Sequence, residues 1–586
     1  MVIRNGNIVD GTGSPSSKGS IAVKDEKISL VSEDSIEAET DILIDADGLY
    51  LTPGFIDVHN HGDLSILYYP KAEGFVRQGI TTFVGGQCGN SPGPFGEWIG
   101  LPWLLGDLYQ DIDPTMYFKN WLQPRDLLNQ RHKEIYGWEI DWNTMGDFFE
   151  RVERRGHSPN YVPLVGHGDI RSLVMGPDFE REATSEEINE MILHVGQAMD
   201  EGCRGLSVGR DYDPGIWAGF DELLACAKVV AGYNGLYASH SLRTGHRKPR
   251  RPGQFPPIKT EGVKEAIDIG RKARISVQIS HLGILYDIRP DDKPVTEAAV
   301  KSTLNLIDEA RAEGIDVNFD VIPHHLTGGI STSPWLASGL SPWIRITGNL
   351  QQFAESMSIE QFREDIKEKI LAGEHYRLNP NINPGWAKSK TIVKCKEDKY
   401  VGKTVADIAE EEEINELDAL MNVIQKDPDT KAIREGEDDW VKLEFFKHPQ
   451  MMIGVDTFAV DETRESRYPP TSYPNQNSYG GFPRYLMRSV RETNTLKLEE
   501  AIRKVTSLPA KKFNLKDRGI IKENAYADIV ILDMNTVSDV GDQLEPRRYP
   551  RGIKHVVING ELVVRESIHT GRLPGKLLYR GTDDTL

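Results

Sequence analysis

The chain has 586 residues and a formal net charge of −20 at pH 7, from 69 Lys and Arg against 89 Asp and Glu. A chain this acidic repels phosphate, so we expect neither a nucleic-acid partner nor binding to an anionic membrane. Hydrophobic residues make up 39% and charged residues 27% of the chain. These fractions are typical of a folded globular protein and exclude a largely disordered one.

The N-terminal segment MVIRNGNIVDGTG has no basic stretch followed by an apolar run, so we expect no secretory signal. The chain also has no uninterrupted apolar run of about 18 residues, so no transmembrane helix is predicted. Its cysteines are Cys88, Cys203, Cys226 and Cys395, which are widely spaced and form no CxxC pair. This spacing predicts reduced thiols and a cytoplasmic location.

Both ends of the chain have the pattern of short strands. Residues 1–52 alternate apolar residues with Gly, Asp and Asn turns, which predicts a small antiparallel sheet. The segments DIVILDM at 528–534 and HVVINGELVV at 555–564 repeat that pattern, and Asn559-Gly560 is typical of a hairpin turn. We therefore predict one discontinuous β-sandwich domain built from residues 1–52 and 516–575.

Residues 53–515 alternate apolar runs with stretches that have a charged helical face. Eight runs have the length and composition of strands: GFIDVH (54–59), TTFVGG (81–86), YVPLVG (161–166), GLSVG (205–209), GLYASH (235–240), ISVQISH (275–281), DVNFDVI (316–322) and MMIGVD (451–456). Eight alternating units predict an α/β fold with a (β/α)8 TIM barrel, favoured over a doubly wound sheet. Residues 89–145 and 326–450 exceed normal connection lengths and are predicted insertions that follow strand ends.

Six side chains that can bind a metal fall at the ends of five predicted strands. Catalytic residues of such barrels gather at the carboxyl ends of the strands. Imidazoles with a thiolate form a normal zinc set, and a carboxylate adds an oxygen ligand or a base. A Ser/His/Asp triad is the competing arrangement, but the sequence has no GxSxG elbow. The six residues are Cys88, His240, His281, Asp456 and the pair His59 and His61, which we expect to end the first strand and, two positions apart in it, to point to the same side.

Beyond these residues, the sequence resembles the amidohydrolase superfamily and, within it, the D-aminoacylase (N-acyl-D-amino-acid deacylase) group. The fourth strand has no lysine of the kind that bridges two metals in many superfamily members, and Cys88 fits the D-aminoacylase pattern instead. The matching segments are PGFIDVHNHGD (53–63), GGQCGNSPGP (85–94), LVGHGDIR (164–171), GLSVGRDYDPG (205–215), YASH (237–240), VQISHLG (277–283), MIGVD (452–456), GGFPRYL (480–486) and the run from TSLPAKKF (506–513) to GIKHVVING (552–560).

The resemblance implies a zinc-dependent hydrolase that cleaves the amide bond of an N-acyl-D-amino acid or a related small molecule. It assigns one tightly bound zinc to Cys88, His240 and His281, and a second, weaker divalent metal to His59 and His61. Asp456 would be the general base. A zinc-bound water has a pKa of about 7, which suits such a reaction.

The positions that bind the substrate carboxylate in the family have different residues in this chain. Where the family has a lysine, a tyrosine and an arginine, this chain has Gly283, His324 and Asn477. We therefore take His324, Asn477 and Arg243 as candidate substrate-binding residues, because Arg243, or alternatively Arg464 or Arg467, could substitute for the missing cation. Without the family's cations, weak activity on simple N-acetyl-D-amino acids is expected, with better turnover of a bulkier or uncharged amide.

Other functions remain open from the sequence. A cyclic-amide hydrolase of hydantoinase type, or a deaminase, would use the same residues on a different substrate. A non-catalytic scaffold with the amidohydrolase fold is the alternative outside enzymes, and it is disfavoured because all six candidate positions are intact. The oligomeric state is not predicted.

Overall fold

The fold is a mixed α/β structure with one sheet formed by the chain ends and parallel strands between them. The computed structural model describes residues 1–581 apart from 38–39, 101–121, 243–258, 287–291, 325–335, 375–377, 382, 435–437, 461–474 and 543. Within this part of the chain, no helix is both long and apolar enough to cross a bilayer.

The two ends of the chain share a nine-stranded sheet. Its halves meet where Ile529–Leu532 pairs antiparallel with Tyr50–Pro53. The predicted hairpin is confirmed, because Asn559 and Gly560 both have positive φ and join two paired strands. The strands are Val2–Ile8, Ser17–Lys24, Lys27–Ser32, Leu43–Asp45 and Tyr50–Pro53 from the N-terminal end, and Ile529–Leu532, Ile553–Ile558, Glu561–Arg565 and Ile568–His569 from the C-terminal end.

The central strand Ile529–Leu532 of this terminal sheet is buried on both of its faces. Successive side chains of a strand point to opposite faces. Ile529 and Ile531 therefore join a core formed by the chain ends alone, whereas Val530 and Leu532 pack into the main core of the molecule. The alternation explains why DIVILDM has an almost continuous apolar run rather than a polar face.

All eight predicted strands of the middle region are present, and the third is split into two short pieces. They form a three-stranded and a six-stranded parallel sheet. In chain order the strands are Phe55–Asp57, Ile80–Gly85 and Asn160–Pro163 in the first sheet, and Val165–Gly166, Gly205–Gly209, Leu236–His240, Ser276–Ile279, Val317–Val321 and Met451–Ile453 in the second.

Backbone hydrogen bonds connect these two parallel sheets at both of their edges. Leu164 N donates to Gly85 O at 3.1 Å, between the two pieces of the split strand. Just beyond the first and last strands, Val58 N donates to Ile453 O at 3.3 Å and Asp456 N donates to His59 O at 2.9 Å. Because all these strands run parallel, the residues that follow them lie along a common edge.

Amphipathic helices separate most of the parallel strands. Ser185–Asp200 begins at a capping box formed by Thr184 and Glu187, and it buries Met191, Val195 and Met199 along one face. In the described part of the chain, the other helices outside the second insertion are Gly62–Ser65, Glu73–Val76, Arg125–Tyr136, Met145–Arg155, His167–Met175, Phe220–Gly232, Lys259–Ala273, Lys293–Ala312, Asn477–Leu486, Leu498–Val505 and Ser507–Lys512. The helix Asp439–Phe446 lies at the end of that insertion, just before the last parallel strand.

The predicted insertions differ in their structure. Residues 89–145 include the short antiparallel pair Trp98–Gly100 and Leu122–Pro124. Residues 326–450 contain a hydrophobic core of their own, in which Phe353, Trp386 and Leu420 are buried. That core is enclosed by the helices Ser341–Thr347, Leu350–Ser356, Glu360–Lys369, Val405–Glu411 and Glu416–Lys426 and by the strands Lys390–Lys394 and Lys431–Arg434.

Candidate metal centre and active site

The structure brings all six candidate metal and base residues into one buried cluster. His240 ends the strand Leu236–His240, and the others follow their strands by two to four residues. The expectation that His59 and His61 lie within the first strand is wrong, because that strand ends at Asp57. The turn that follows it still directs both rings into the cluster, with centroids 5.5 Å apart.

Asp57 fixes the turn that carries these two histidines. Its Oδ1 accepts from His59 N at 3.2 Å and from Val455 N at 3.1 Å, and its Oδ2 accepts from Asn60 Nδ2 at 2.6 Å. A buried carboxylate with three N–H donors is well satisfied. It therefore ties the end of the first strand to the segment that precedes Asp456.

The Cys88 sulfur lies at the centre of the cluster. Its Sγ is 3.2 Å from His59 Nε2, 3.4 Å from His240 Nδ1 and 3.6 Å from His281 Nε2. Cys88 is 6% and His281 8% exposed, and His59 is fully buried. Polar side chains of this kind are rarely buried together without a shared function.

Asp456 faces the two histidines that follow the first strand. Its Oδ1 lies 3.3 Å from His61 Nε2 and 3.5 Å from His59 Nε2. Both ring nitrogens of the fully buried His61 have no hydrogen-bond partner among the described residues. Since buried polar groups are normally paired, these nitrogens favour an additional electrophilic partner such as a metal ion.

Three residues of the cluster have left-handed backbone conformations. The φ angles are +58° for Cys88, +38° for His281 and +53° for Asp456. This region is disfavoured for side chains with a Cβ, and such strain concentrates at functional sites. The surrounding structure therefore holds these side chains in place at a cost in backbone energy.

The charges of the cluster reinforce one another. Burial alone would raise the pKa of Asp456, but the neighbouring His59 and His61 outweigh it and lower that pKa to about 2. Burial would likewise lower the pKa of His61, but Asp456 and Cys88 outweigh it and raise the pKa to about 9. The pKa of Cys88 lies well below that of an ordinary thiol, because nearby imidazoles overcome the effect of burial. The thiolate and the carboxylate therefore stabilise positive charge on the neighbouring imidazoles, and the imidazoles stabilise the two anions.

The spacing of the ligand atoms fits a tetrahedral zinc ion. With Zn–S near 2.3 Å and Zn–N near 2.0–2.1 Å, two ligand atoms on a tetrahedron lie about 3.5 Å apart. The sulfur-to-nitrogen distances from Cys88 to His240 and His281 are 3.4 and 3.6 Å. The ligand atoms of His59, His61 and Cys88 also lie within 4.8 Å of one another. These residues are therefore suited to hold a metal.

The candidate substrate-binding residues have different surroundings. His324 and Asn477 lie together, since His324 N donates to Asn477 Oδ1 at 3.2 Å. Asn477 is fully buried, and its Nδ2 donates to Asn475 Oδ1 at 3.0 Å. His324 Nε2 lies 3.6 Å from Asp539 Oδ2. Arg243 and both of its alternatives lie outside the described residues, so substrate binding at these positions stays a prediction.

Tyr212 is a site residue that the sequence analysis did not single out. Its hydroxyl donates to Cys88 O at 2.7 Å, and its ring contacts the His240 ring edge to face at 4.9 Å between centroids. A Cβ at Gly209 would lie 2.2 Å from Cys88 O, so only a glycine at position 209 lets the two backbone segments come this close. The signal was available in GLSVGRDYDPG, a segment that matches the family pattern.

His167, which also lies in a matching segment, belongs to a buried ion-pair network. Its Nε2 lies 2.8 Å from Glu222 Oε1, which also accepts from Arg171 Nη1 at 2.6 Å. All three side chains are at most 1% exposed. His167 is thus held by packing and charge next to the cluster.

Comparison with known proteins gives relatives along almost the whole chain. An amidohydrolase family model matches residues 469–564. The N-acyl-D-glutamate deacylase of Alcaligenes xylosoxydans xylosoxydans is 28% identical over 583 residues, covering 99% of this chain and 96% of that protein. The D-aminoacylase of the same organism is 26% identical over 590 residues, covering 99% and 97%.

Solved structures of deacylases are also similar to this chain along almost its whole length. The N-acyl-D-glutamate deacylase of Bordetella bronchiseptica, crystallised with zinc and a phosphonate inhibitor, superposes with a TM-score of 0.68 at 25% identity over 99% of both chains. A D-aminoacylase structure gives 0.67 at 25% identity over 98% of both chains. The predicted resemblance to the amidohydrolase superfamily, and within it to the D-aminoacylase group of deacylases, is therefore confirmed.

Proposed function

We propose that the chain is a zinc-dependent amidohydrolase that cleaves the C–N amide bond of an N-acyl-D-amino acid or a related small amide. The observation that carries this proposal is the convergence of Cys88, His240 and His281 at tetrahedral spacing, with His59, His61 and Asp456 beside them. The named relatives, which are deacylases of N-acyl-D-glutamate and similar compounds, support it.

Two sets of ligands would hold two metal ions. Cys88, His240 and His281 would hold one zinc tightly, and His59 with His61 would hold a second, weaker metal. A D-aminoacylase structure described as having a binuclear metal centre supports two positions. When bound, zinc supplies Lewis-acid polarisation of the substrate carbonyl and lowers the pKa of water.

Asp456 would be the general base. With its pKa lowered to about 2, this carboxyl is ionised at neutral pH. It would take a proton from the attacking water and pass that proton to the leaving nitrogen as the C–N bond breaks. The immediate products are a carboxylic acid and an amine, and transfer of the acid's proton to the amine gives a carboxylate and an ammonium group, so atoms and charge balance. The hydrogen bond from Asp456 N to His59 O keeps the base beside the histidines.

We further propose the finer architecture and location. The parallel strands would close into a (β/α)8 barrel over residues 53–515, supported by the hydrogen bond from Val58 to Ile453 between the last and first strands. Residues 1–52 and 516–575 would form a β-sandwich domain, supported by the core of the chain ends. A cytoplasmic location is supported by the four free thiols of the chain.

A substrate panel tests the proposal. Purified, zinc-loaded protein is given N-acetyl-D-methionine, its L enantiomer, the D-carboxamide, N-acyl aryl amides and a hydantoin, and kcat/KM is measured for each. We expect cleavage of acyclic amides with the D enantiomer preferred, the uncharged amides being better than the free acid. Ring opening of the hydantoin alone, or release of ammonia from an amine, would show instead a cyclic-amide hydrolase or a deaminase. No turnover by zinc-loaded protein would favour the scaffold.

A further inference from the structure

Asp320 is a buried carboxylate that lies behind the candidate metal ligands. It belongs to the strand Val317–Val321, whose neighbours carry His281 on one side and Asp456 on the other. Asp320 is fully buried. Among the described residues, it lies outside the sets of side chains whose ligand atoms are within 4.8 Å of one another.

One contact of Asp320 fixes the backbone of His281. The His281 N–H donates to Asp320 Oδ1 at 2.7 Å. His281 has a φ of +38°, a conformation that is costly for a residue with a Cβ. A short hydrogen bond to a charged acceptor is among the stronger ones in proteins. Asp320 therefore compensates the strain that directs the His281 ring toward Cys88.

A second contact of Asp320 involves His59. The same Oδ1 lies 3.6 Å from His59 Nδ1, while His59 Nε2 faces Cys88 Sγ at 3.2 Å. The carboxylate is thus on the side of the ring opposite the cluster. At 3.6 Å this is an ion-pair contact and not a hydrogen bond, and His59 Nδ1 has no hydrogen-bond partner among the described residues. The carboxylate therefore acts on the ring through its charge, from the side on which outer carboxylates face metal-binding histidines.

Neighbouring residues keep Asp320 in this position. Gln278 Nε2 donates to Asp320 Oδ2 at 2.8 Å. A Cβ at Gly454 would lie 2.4 Å from His59 Cβ and 3.1 Å from Asp320 Oδ1, so glycine is required where the carboxylate and His59 approach. The carboxylate therefore has little freedom to turn away.

We propose that Asp320 is a positioning residue that holds His281 and His59 with their rings toward Cys88, and thereby sets the affinity of the chain for zinc. The inference rests on the metal centre of the proposed function. The inference adds a residue to that centre, because the Asp320 carboxylate, which is not itself a ligand, contacts one ligand of each proposed metal ion: His281 of the first and His59 of the second.

Two substitutions at Asp320 separate its two contacts. Asp320→Ala removes both. Asp320→Asn keeps an oxygen that can accept from His281 N, and Gln278 can turn its amide to match, because Gln278 Oε1 is buried without a partner among the described residues. Asp320→Asn thus removes chiefly the negative charge beside His59.

Asp528→Asn is the matched control. Asp528 is also buried at 5% exposure, and it likewise accepts one backbone N–H, from Asn559 at 2.8 Å, and side-chain N–H groups, from Arg518 and Asn160. It immediately precedes the strand Ile529–Leu532 of the terminal sheet and is not one of the candidate metal ligands. Asp528→Asn should lower the thermal midpoint without changing zinc affinity.

The measurement is the zinc Kd of the full chain by competition with a chromophoric chelator, with circular dichroism as the folding check. Substitution of an outer partner typically weakens metal binding about 10–100-fold. We expect a loss in this range for Asp320→Ala and about tenfold for Asp320→Asn. The cobalt-substituted variants should also have altered visible spectra, because the ligand field changes.

Three results would overturn the inference. The first is a wild-type zinc Kd in folded Asp320→Ala or, if that variant does not fold, in Asp320→Asn together with an unchanged cobalt spectrum. The second is an equal loss of affinity in Asp528→Asn, which would show only a general effect of destabilisation. The third is wild-type protein that binds no zinc, which would remove the proposed metal centre as well.

Discussion

Replacing Cys88 by alanine tests the ligand assignment directly. The sulfur is 6% exposed and lies within 3.2–3.6 Å of three imidazole nitrogens. Zinc sites with four ligands bind with about 10–16 kcal/mol, so one ligand contributes about 2.5–4 kcal/mol if the energy is shared equally. At 1.4 kcal/mol for each tenfold, we expect the zinc Kd of Cys88→Ala to rise about 60–700-fold.

The assay is metal content after gel filtration, together with a chelator competition that yields the zinc Kd. Cys203→Ala is the control, because Cys203 is also buried and loses the same sulfur, yet it lies outside the ligand groups of the described residues. Both variants remove a buried thiol, so a loss caused by packing alone should appear in both. A zinc Kd for Cys88→Ala within threefold of the control would refute Cys88 as a ligand.

Other predictions follow from the base, a buried ion pair and the terminal sheet. Asp456→Asn should keep the zinc content but lower kcat by about 10²–10⁴-fold, and wild-type turnover would exclude Asp456 as the base. Glu222→Gln leaves the Arg171 guanidinium buried without its carboxylate, which should cost about 3–5 kcal/mol in chemical denaturation, while the more exposed Glu265→Gln costs less. Burial would raise the pKa of Glu222, but His167 and Arg171 lower it to about 2. The Glu222 carboxylate therefore makes its full contribution to the free energy of unfolding above about pH 4.5 and loses it as the pH falls toward 2. The difference in unfolding free energy between wild type and Glu222→Gln should shrink over the same range. A difference that stays constant with pH would contradict the lowered pKa. Deleting residues 1–50 should expose the apolar face of the C-terminal strands and give insoluble protein, and a soluble, active product would contradict the shared domain.

Much of the fold is already determined by local patterns in the sequence. Strands and helices have side-chain periods of about two and 3.6 residues, so runs such as GLSVG and LYASH are recognisable without any knowledge of their neighbours. The strand Gly205–Gly209 has the bounds that the sequence predicts. Because parallel strands end at one edge, the sequence also indicates which residues can meet there.

The contacts inside the cluster were decided only by tertiary structure. Cys88 is separated from His240 by 152 positions and from His281 by 193, and their distances depend on how the strands pair. The first strand ends before His59, so the turn held by Asp57, and not the alternation of a strand, brings His59 and His61 together.

Asp320 also combines a feature that the sequence predicts with contacts that only the tertiary structure determines. Asp320 lies in a segment that the sequence predicts as a strand, but its contacts to His281 and Gln278 come from the neighbouring strand. Periodicity determines which residues form a strand, because it reflects the local geometry of the backbone. Which buried carboxylate faces which histidine depends on register and packing between distant segments, and the sequence alone does not contain that information in readable form.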